Sequence, residues 1–233
     1  MLPFRDRPDA GNKLIPLLSD LEIDVGNMVV VAIPNGGVPV AIPIARHFNK
    51  PLYVLIARKV QFPWTTEAGF GAVIADGTTI FNDAAVRQNH LSKDIIHAQV
   101  QRALQEVQQR EILFQKFSVF ENLDGMEIIL IDDGLASGIT TRAAIESLQK
   151  RGAQKVFVAV PTAQMDSARD IERLASNEPP FYVEVVCPDI KSGWPFAVAQ
   201  AYVRWYDEES DHILQELEQY SQPFAGERKD ETP

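Results

Sequence analysis

Residues 127–141 constrain this chain more than any other stretch. They read Glu-Ile-Ile-Leu-Ile-Asp-Asp-Gly-Leu-Ala-Ser-Gly-Ile-Thr-Thr. The apolar run Ile128 to Ile131 is too short for a helix and rich in β-branched side chains, which predicts a buried parallel strand. Asp132 and Asp133 then stand at its carboxyl end, where open α/β sheets bind ligands. Gly134 follows the pair. The loop Ala136-Ser137-Gly138-Ile139-Thr140 lets backbone N–H groups approach an anion, and the helix opening at Thr140 and Thr141 adds a dipole that favours negative charge. Carboxylates beside such a cradle suit a phosphorylated sugar. The same order also occurs in receiver domains, in some phosphatases and as an ordinary capped strand-to-helix turn.

A second strand-loop-helix unit precedes it. Val29 to Ile33 is a short apolar run, followed by Pro34, Asn35, Gly36 and Gly37 and a helical segment over 38–48. Adjacent glycines permit positive φ values and close backbone approach. The wider chain continues the alternation, with strands at 28–33, 52–57, 127–131, 155–160 and 182–186. Helices are expected at 8–21 with Asp9 as cap, at 92–117, to residue 151, at 163–175 and at 213–220. Asp76-Gly77 between 71–76 and 78–81 marks a β-hairpin. This pattern predicts an α/β fold, a parallel sheet with helices on both faces. In the long polar helix, Ile95, Ile96, Val100, Leu104, Val107 and Ile112 form the expected apolar stripe.

Composition narrows the function classes. A formal net charge of −10 opposes nonspecific nucleic-acid binding, which relies on basic surfaces. The lone Cys187 and the early charges Arg5, Asp6 and Arg7 fit a cytoplasmic protein without a signal core. No apolar run has the length of a membrane span. His47, His90, His97 and His212 lack zinc-ligand spacing.

Four apolar residues, two acids and a small, hydroxyl-rich loop resemble the phosphoribosyl pyrophosphate (PRPP) signature of type I phosphoribosyltransferases. The resemblance implies that Asp132 and Asp133 take the ribose hydroxyls and Mg²⁺, and that Gly134 and the residues Ala136 to Thr141 take the 5′-phosphate. It also implies that Asn35, Gly36 and Gly37 form the pyrophosphate loop. Relatives usually carry a cation where Asn35 stands, and Arg58 and Lys59 are candidates to replace it. The segments 4–11, 34–41, 58–59 and 67–73 together resemble a group of predicted bacterial and archaeal phosphoribosyltransferases of unsettled substrate.

That family carries a mobile lid and a C-terminal hood. Residues 60–82 are expected to form the lid and 188–206 the hood, within one domain over 1–222 followed by a disordered tail over 223–233. Glu67 in the lid is an acceptor- or metal-binding candidate. In the hood, Trp194 could stack on a planar base, a contact of about 1–3 kcal/mol in nucleic-acid sites. Phe196 is the second aromatic candidate, although filling the core beneath the hood is its simpler reading. Ala136 stands where 6-oxopurine enzymes usually have an Asp, which argues against hypoxanthine and guanine as acceptors. The implied activity is Mg²⁺-dependent transfer of phosphoribose from PRPP to a nitrogenous acceptor by a homodimer. The alternatives are a PRPP- or nucleotide-sensing protein without turnover, and an interaction protein built on a decayed site.

Overall fold

A computed structural model describes residues 3–65, 68–177, 180–193 and 196–221. In chain order the elements begin with α1 (Arg7–Ser19), β1 (Met28–Ala32), α2 (Gly37–Phe48) and β2 (Leu52–Val54). Next come β3 (Ala57–Gln61), β4 (Gly69–Ile74), β5 (Thr79–Phe81), α3 (Asp83–Gln88) and α4 (Lys93–Phe114). Then follow β6 (Glu127–Ile131), α5 (Ile139–Lys150), β7 (Lys155–Ala159), β8 (Thr162–Gln164) and α6 (Met165–Glu172). The last are β9 (Ser176–Asn177), β10 (Pro180–Val186), β11 (Asp189–Lys191) and α7 (Ser210–Ser221).

The main sheet has the order β2-β1-β6-β7-β10-β9, parallel except for the β9–β10 pair. Its core strands are apolar at successive positions because both faces are covered. Val30, Ala32, Ile129 and Ile131 share a core with Leu14 and Leu18 of α1, Ile44 of α2 and Leu217 of α7. Val29, Val31, Ile128 and Leu130 face Ala144 and Leu148 of α5 and Ile171 of α6. The two-residue period of a strand thus assigns alternate residues to different helical layers. Truncating a fully buried residue such as Ile129 to Ala would cost about 2–5 kcal/mol.

The sheet's order positions the site. From β1 the chain crosses to β2 on one side, and from β6 it crosses to β7 on the other. The carboxyl ends of β1 and β6 therefore flank a topological switch point, and the crevice between the two departing loops is where such sheets take ligands.

Several elements differ from the sequence expectation. Asp6, not Asp9, caps α1, its side chain accepting from the Asp9 N–H. The expected strand over 52–57 divides: β2 ends at Val54, and β3, β4 and β5 form a separate antiparallel sheet. Leu55 and Ile56 stay buried as the chain passes between the sheets, which is why the apolar run looked continuous. Helix α6 starts at Met165 instead of 163, because Thr162–Gln164 pairs in parallel with Asp189–Lys191. On α4, Ile112 is 69% exposed and Ile95 also lies outward; Ala103, Val107 and Phe114 form the buried face.

Candidate functional site

The loops after β1 and β6 touch. A Cβ added to Gly36 would lie 2.0 Å from Asp133 Oδ2, and one on Gly37 would lie 2.6 Å from the Ile131 carbonyl oxygen. Close approach is what these glycines provide, since Gly36 has a helical φ of −59° and Gly37 begins α2. The positive φ instead falls at Gly138 (+71°), where the second loop turns into α5. The Pro34–Asn35 peptide is cis.

The two carboxylates have different surroundings. Burial, then the charge of Asp133, pushes the Asp132 carboxyl well above the usual carboxylate range. Its Oδ1 accepts the Asp133 N–H at 2.8 Å. Burial also raises Asp133, but Arg7 opposes that shift. Arg7 donates through Nε (3.0 Å) and Nη2 (2.8 Å) to Asp133 Oδ2. Its Nη1 reaches the Tyr206 carbonyl at 2.8 Å and Glu208 Oε1 at 3.4 Å, and its guanidinium lies 4.1 Å from the centroid of Trp205. Tyr202 donates its hydroxyl to the Asp133 carbonyl at 2.6 Å.

The loop over 134–141 is braced from β8. Leu135 donates to the Thr162 carbonyl and Gln164 donates back to the Leu135 carbonyl, at 2.9 and 2.8 Å. Ser167 donates to the Ala136 carbonyl. A crevice of about 140 Å³ opens beside Ser137, Gly138, Ile139, Thr140 and Thr141, with Asp132 on its wall. Backbone N–H groups at the start of α5 can hold an anion there, while the acidic pair can accept hydroxyls or hold a hard cation.

Arg58 and Lys59 lie within β3, not at the end of the main sheet's edge strand. Lys59 lines the 140 Å³ crevice, whereas Arg58 Nε pairs with Glu106 of α4 at 2.7 Å. Asn35 is held from two sides. Arg110 Nη2 donates to its Oδ1 at 2.6 Å, and its Nδ2 donates to the Glu208 carbonyl at 2.5 Å.

A second cleft, of about 380 Å³, is lined by Thr162, whose carbonyl braces the 134–141 loop, and by Lys191, Gly193 and Phe196. Phe196 is therefore at a cleft wall. Glu67 and Trp194 lie outside the described residues. In the expected lid, Trp64 is 61% exposed and stacks on Phe62 with ring centroids 5.1 Å apart. Burial pushes the Cys187 thiol up to about 12, which suits a structural thiol better than a nucleophile. A larger cleft, of about 650 Å³, opens at the opposite strand ends beside Glu127 and Lys155, which neutralise one another at 2.9 Å.

The model of the phosphoribosyl transferase domain matches residues 9–201. The chain belongs to that family. Two Mycobacterium tuberculosis proteins, from strains CDC 1551 and H37Rv, carry a provisional phosphoribosyl transferase name. Each is 35% identical over 222 residues, which is 95% of this chain and 48% of the relative. The chain thus spans about half the length of these curated relatives. The crystal structure of TT1426 from Thermus thermophilus is similar at a TM-score of 0.69 and 26% identity, covering 94% of this chain and 99% of that one.

Within this phosphoribosyl transferase fold, sequence reasoning assigned no role to Arg7, Tyr202, Glu208 or Arg110. Arg7 had a signal, since it lies in the 4–11 segment that carries part of the resemblance. The others come from 69 to 75 residues away in sequence, or more, and meet the site only through tertiary packing. Asp189 was also missed: it accepts from Thr162 Oγ1 at 3.1 Å and pairs with Lys191 at 2.9 Å behind the second cleft. Among the described residues, no helix is long and apolar enough to cross a membrane.

Proposed function

We propose that this protein transfers a 5-phosphoribosyl group from PRPP to a nitrogenous acceptor, with Mg²⁺, releasing pyrophosphate. The observation that carries this reading is the meeting of two loops at the switch point, with Gly36 packed against Asp133 and the 134–141 loop opening into α5. In this reading Asp132 and Asp133 hold the ribose hydroxyls. Gly134, Ala136, Ser137, Gly138, Ile139, Thr140 and Thr141 surround the 5′-phosphate. Asn35, Gly36 and Gly37 face the departing pyrophosphate, with Lys59 on the crevice wall and Arg58 behind it.

The donor set fits Mg²⁺. Two adjacent carboxylates supply hard oxygen ligands, and Mg²⁺ is characteristically bound by one or two carboxylates plus substrate phosphates. When bound, it would neutralise charge on the leaving pyrophosphate. The protein's own contribution is positioning and electrostatics: the loops fix both ends of the donor, and the carboxylates favour positive charge developing on the ribose. The 380 Å³ cleft with Phe196 is the acceptor's place, and Glu67 and Trp194 are proposed to complete it. Ala136, in the 134–141 loop, offers no side-chain carboxylate to a 6-oxopurine. Cytoplasmic location and a homodimer belong to the same proposal.

Calorimetry with PRPP, with and without Mg²⁺, tests the reading. Saturable, Mg²⁺-dependent binding that Asp132→Asn weakens is the expected result, and absence of binding under both conditions would overturn it. A second reading, PRPP or nucleotide sensing without turnover, is favoured by Asn35, a neutral side chain already engaged at both ends of its amide. Pyrophosphate release with any member of a broad acceptor panel excludes sensing alone.

A further inference from the structure

Helix α4 and strand β3 gather three guanidinium groups around one carboxylate. Arg58 Nε lies 2.7 Å from Glu106 Oε2, and Arg102 Nε lies 3.4 Å from Glu106 Oε1. One turn further along α4 stands Arg110, which among the described residues forms no ion pair with a carboxylate. Its Nη2 ends on the neutral Oδ1 of Asn35, and its buried Nε has no hydrogen-bond partner. Burial and repulsion from Arg58 press its guanidinium towards losing charge, and Glu106 only partly counters them. A half-buried guanidinium without a directly paired carboxylate is costly to keep. In a chain of formal net charge −10, acidic partners are plentiful, yet this cluster carries more positive than negative charge.

The surplus has a direction. Asn35 gives Arg110 its one acceptor, the amide oxygen, but no charge, and the bond from its Nδ2 to the Glu208 carbonyl fixes that orientation. Arg110 is therefore tied to the loop Asn35-Gly36-Gly37 through the Asn35 amide oxygen, with its charge left over. We propose that Arg110 is the anion-binding cation of this loop, and that its anion is a diphosphate. That the anion is a diphosphate, the pyrophosphate end of the donor, rests on the proposed function; the anion site itself does not. Arg58 is the reserve charge, held back by Glu106.

The test is calorimetric titration of inorganic pyrophosphate, at constant ionic strength, into the full chain and its Arg110→Gln, Arg110→Lys and Glu106→Gln variants. Ribose 5-phosphate serves as the control ligand. A charge-assisted hydrogen bond predicts that Arg110→Gln weakens pyrophosphate binding about tenfold or more, with Arg110→Lys between it and the wild type. Ribose 5-phosphate affinity should not change. Glu106→Gln, which removes the carboxylate that Arg58 and Arg102 share, should tighten pyrophosphate binding. A purely structural tie between α4 and the loop predicts no such gain. The proposal is overturned if the wild type binds no pyrophosphate, if Arg110→Gln binds it equally well, or if both ligands weaken together. Should Arg110→Gln fail to fold, Glu106→Gln decides alone: tighter binding supports the proposal and unchanged or weaker binding sinks it. Arg110-dependent pyrophosphate binding without any PRPP binding would retire the phosphoribosyl reading and keep this one. PRPP turnover indifferent to Arg110→Gln would do the reverse.

Discussion

Burial raises both carboxyls of the Asp132–Asp133 pair, but only Asp133 meets a guanidinium. That difference separates their effects on stability. For Asp132 the folded-state pKa is raised, so the folded state holds its proton more tightly than the unfolded chain. Ionising it costs stability, and the cost appears as pH rises from the ordinary carboxylate value through the raised one. Asp132→Asn should therefore raise the melting temperature at neutral pH, with the gain vanishing in acid, while PRPP binding falls. Asp133→Asn should raise it less, because Arg7 already offsets part of the burial cost and loses a charged partner in the variant; hydrogen bonds to charged groups are worth about 1.5–3 kcal/mol. Thermal melts of both variants between acid and neutral pH check the order, and a gain for Asp133→Asn as large as that for Asp132→Asn at neutral pH would contradict this account. The chemistry of the pair was legible from its place after an apolar strand. Its asymmetry was not, since Arg7 lies 126 residues away in sequence.

Packing between elements sets the tolerance of the loops. Helix α2 begins so close to the end of β6 that a Cβ on Gly37 would meet the Ile131 carbonyl at 2.6 Å and the Asp132 Cα at 3.2 Å. Both are backbone atoms, so a methyl group must push helix from strand. Gly37→Ala should cost about 1–3 kcal/mol, as overpacking typically does. At about 2–4 °C per kcal/mol for a chain of this size, a melting scan resolves the loss. Pyrophosphate binding should weaken with it. A variant as stable as wild type would show that the two elements can separate freely. The elements that set this geometry were readable because strands buried on both faces appear as unbroken apolar runs, as Val29 to Ile33 and Ile128 to Ile131 do. Reading failed where pairing is non-local. Residues 163 and 164 look helical by local pattern, but the strand Thr162–Gln164 has Asp189–Lys191 and the Leu135 backbone as partners. The same holds for 52–57, one apolar run shared by two sheets.

At the scale of the molecule, two segments far apart in sequence close over the site together. Phe4 donates to the Ala201 carbonyl at 2.7 Å, Val203 donates to the Phe4 carbonyl at 2.8 Å, and Arg204 donates to the Arg5 carbonyl at 2.9 Å. Arg7, Tyr202, Tyr206 and Glu208 then carry this closure to Asp133 and Asn35. Resemblance marked residues 4–11 as part of a pattern, but a closure between positions 4 and 203 leaves no local period to read. Its apolar support is a small cluster of Phe4, Ala10, Ala201 and Tyr202, separate from the two cores that sandwich the sheet. A small cluster opens at lower free energy than a central strand, so the closure should behave as its own cooperative unit. Hydrogen exchange should give the Val203 and Arg204 amides one shared opening free energy, below that of Val30 and Leu130 in β1 and β6. Phe4 is 1% exposed, and Phe→Ala in a packed site typically costs about 3–5 kcal/mol. Phe4→Ala should accordingly speed exchange at Val203 and Arg204 and weaken PRPP binding through the loosened Arg7 fork, while the central strands keep their protection. If Val30 and Leu130 accelerate equally, the closure is part of the global fold and cannot open separately to admit a ligand.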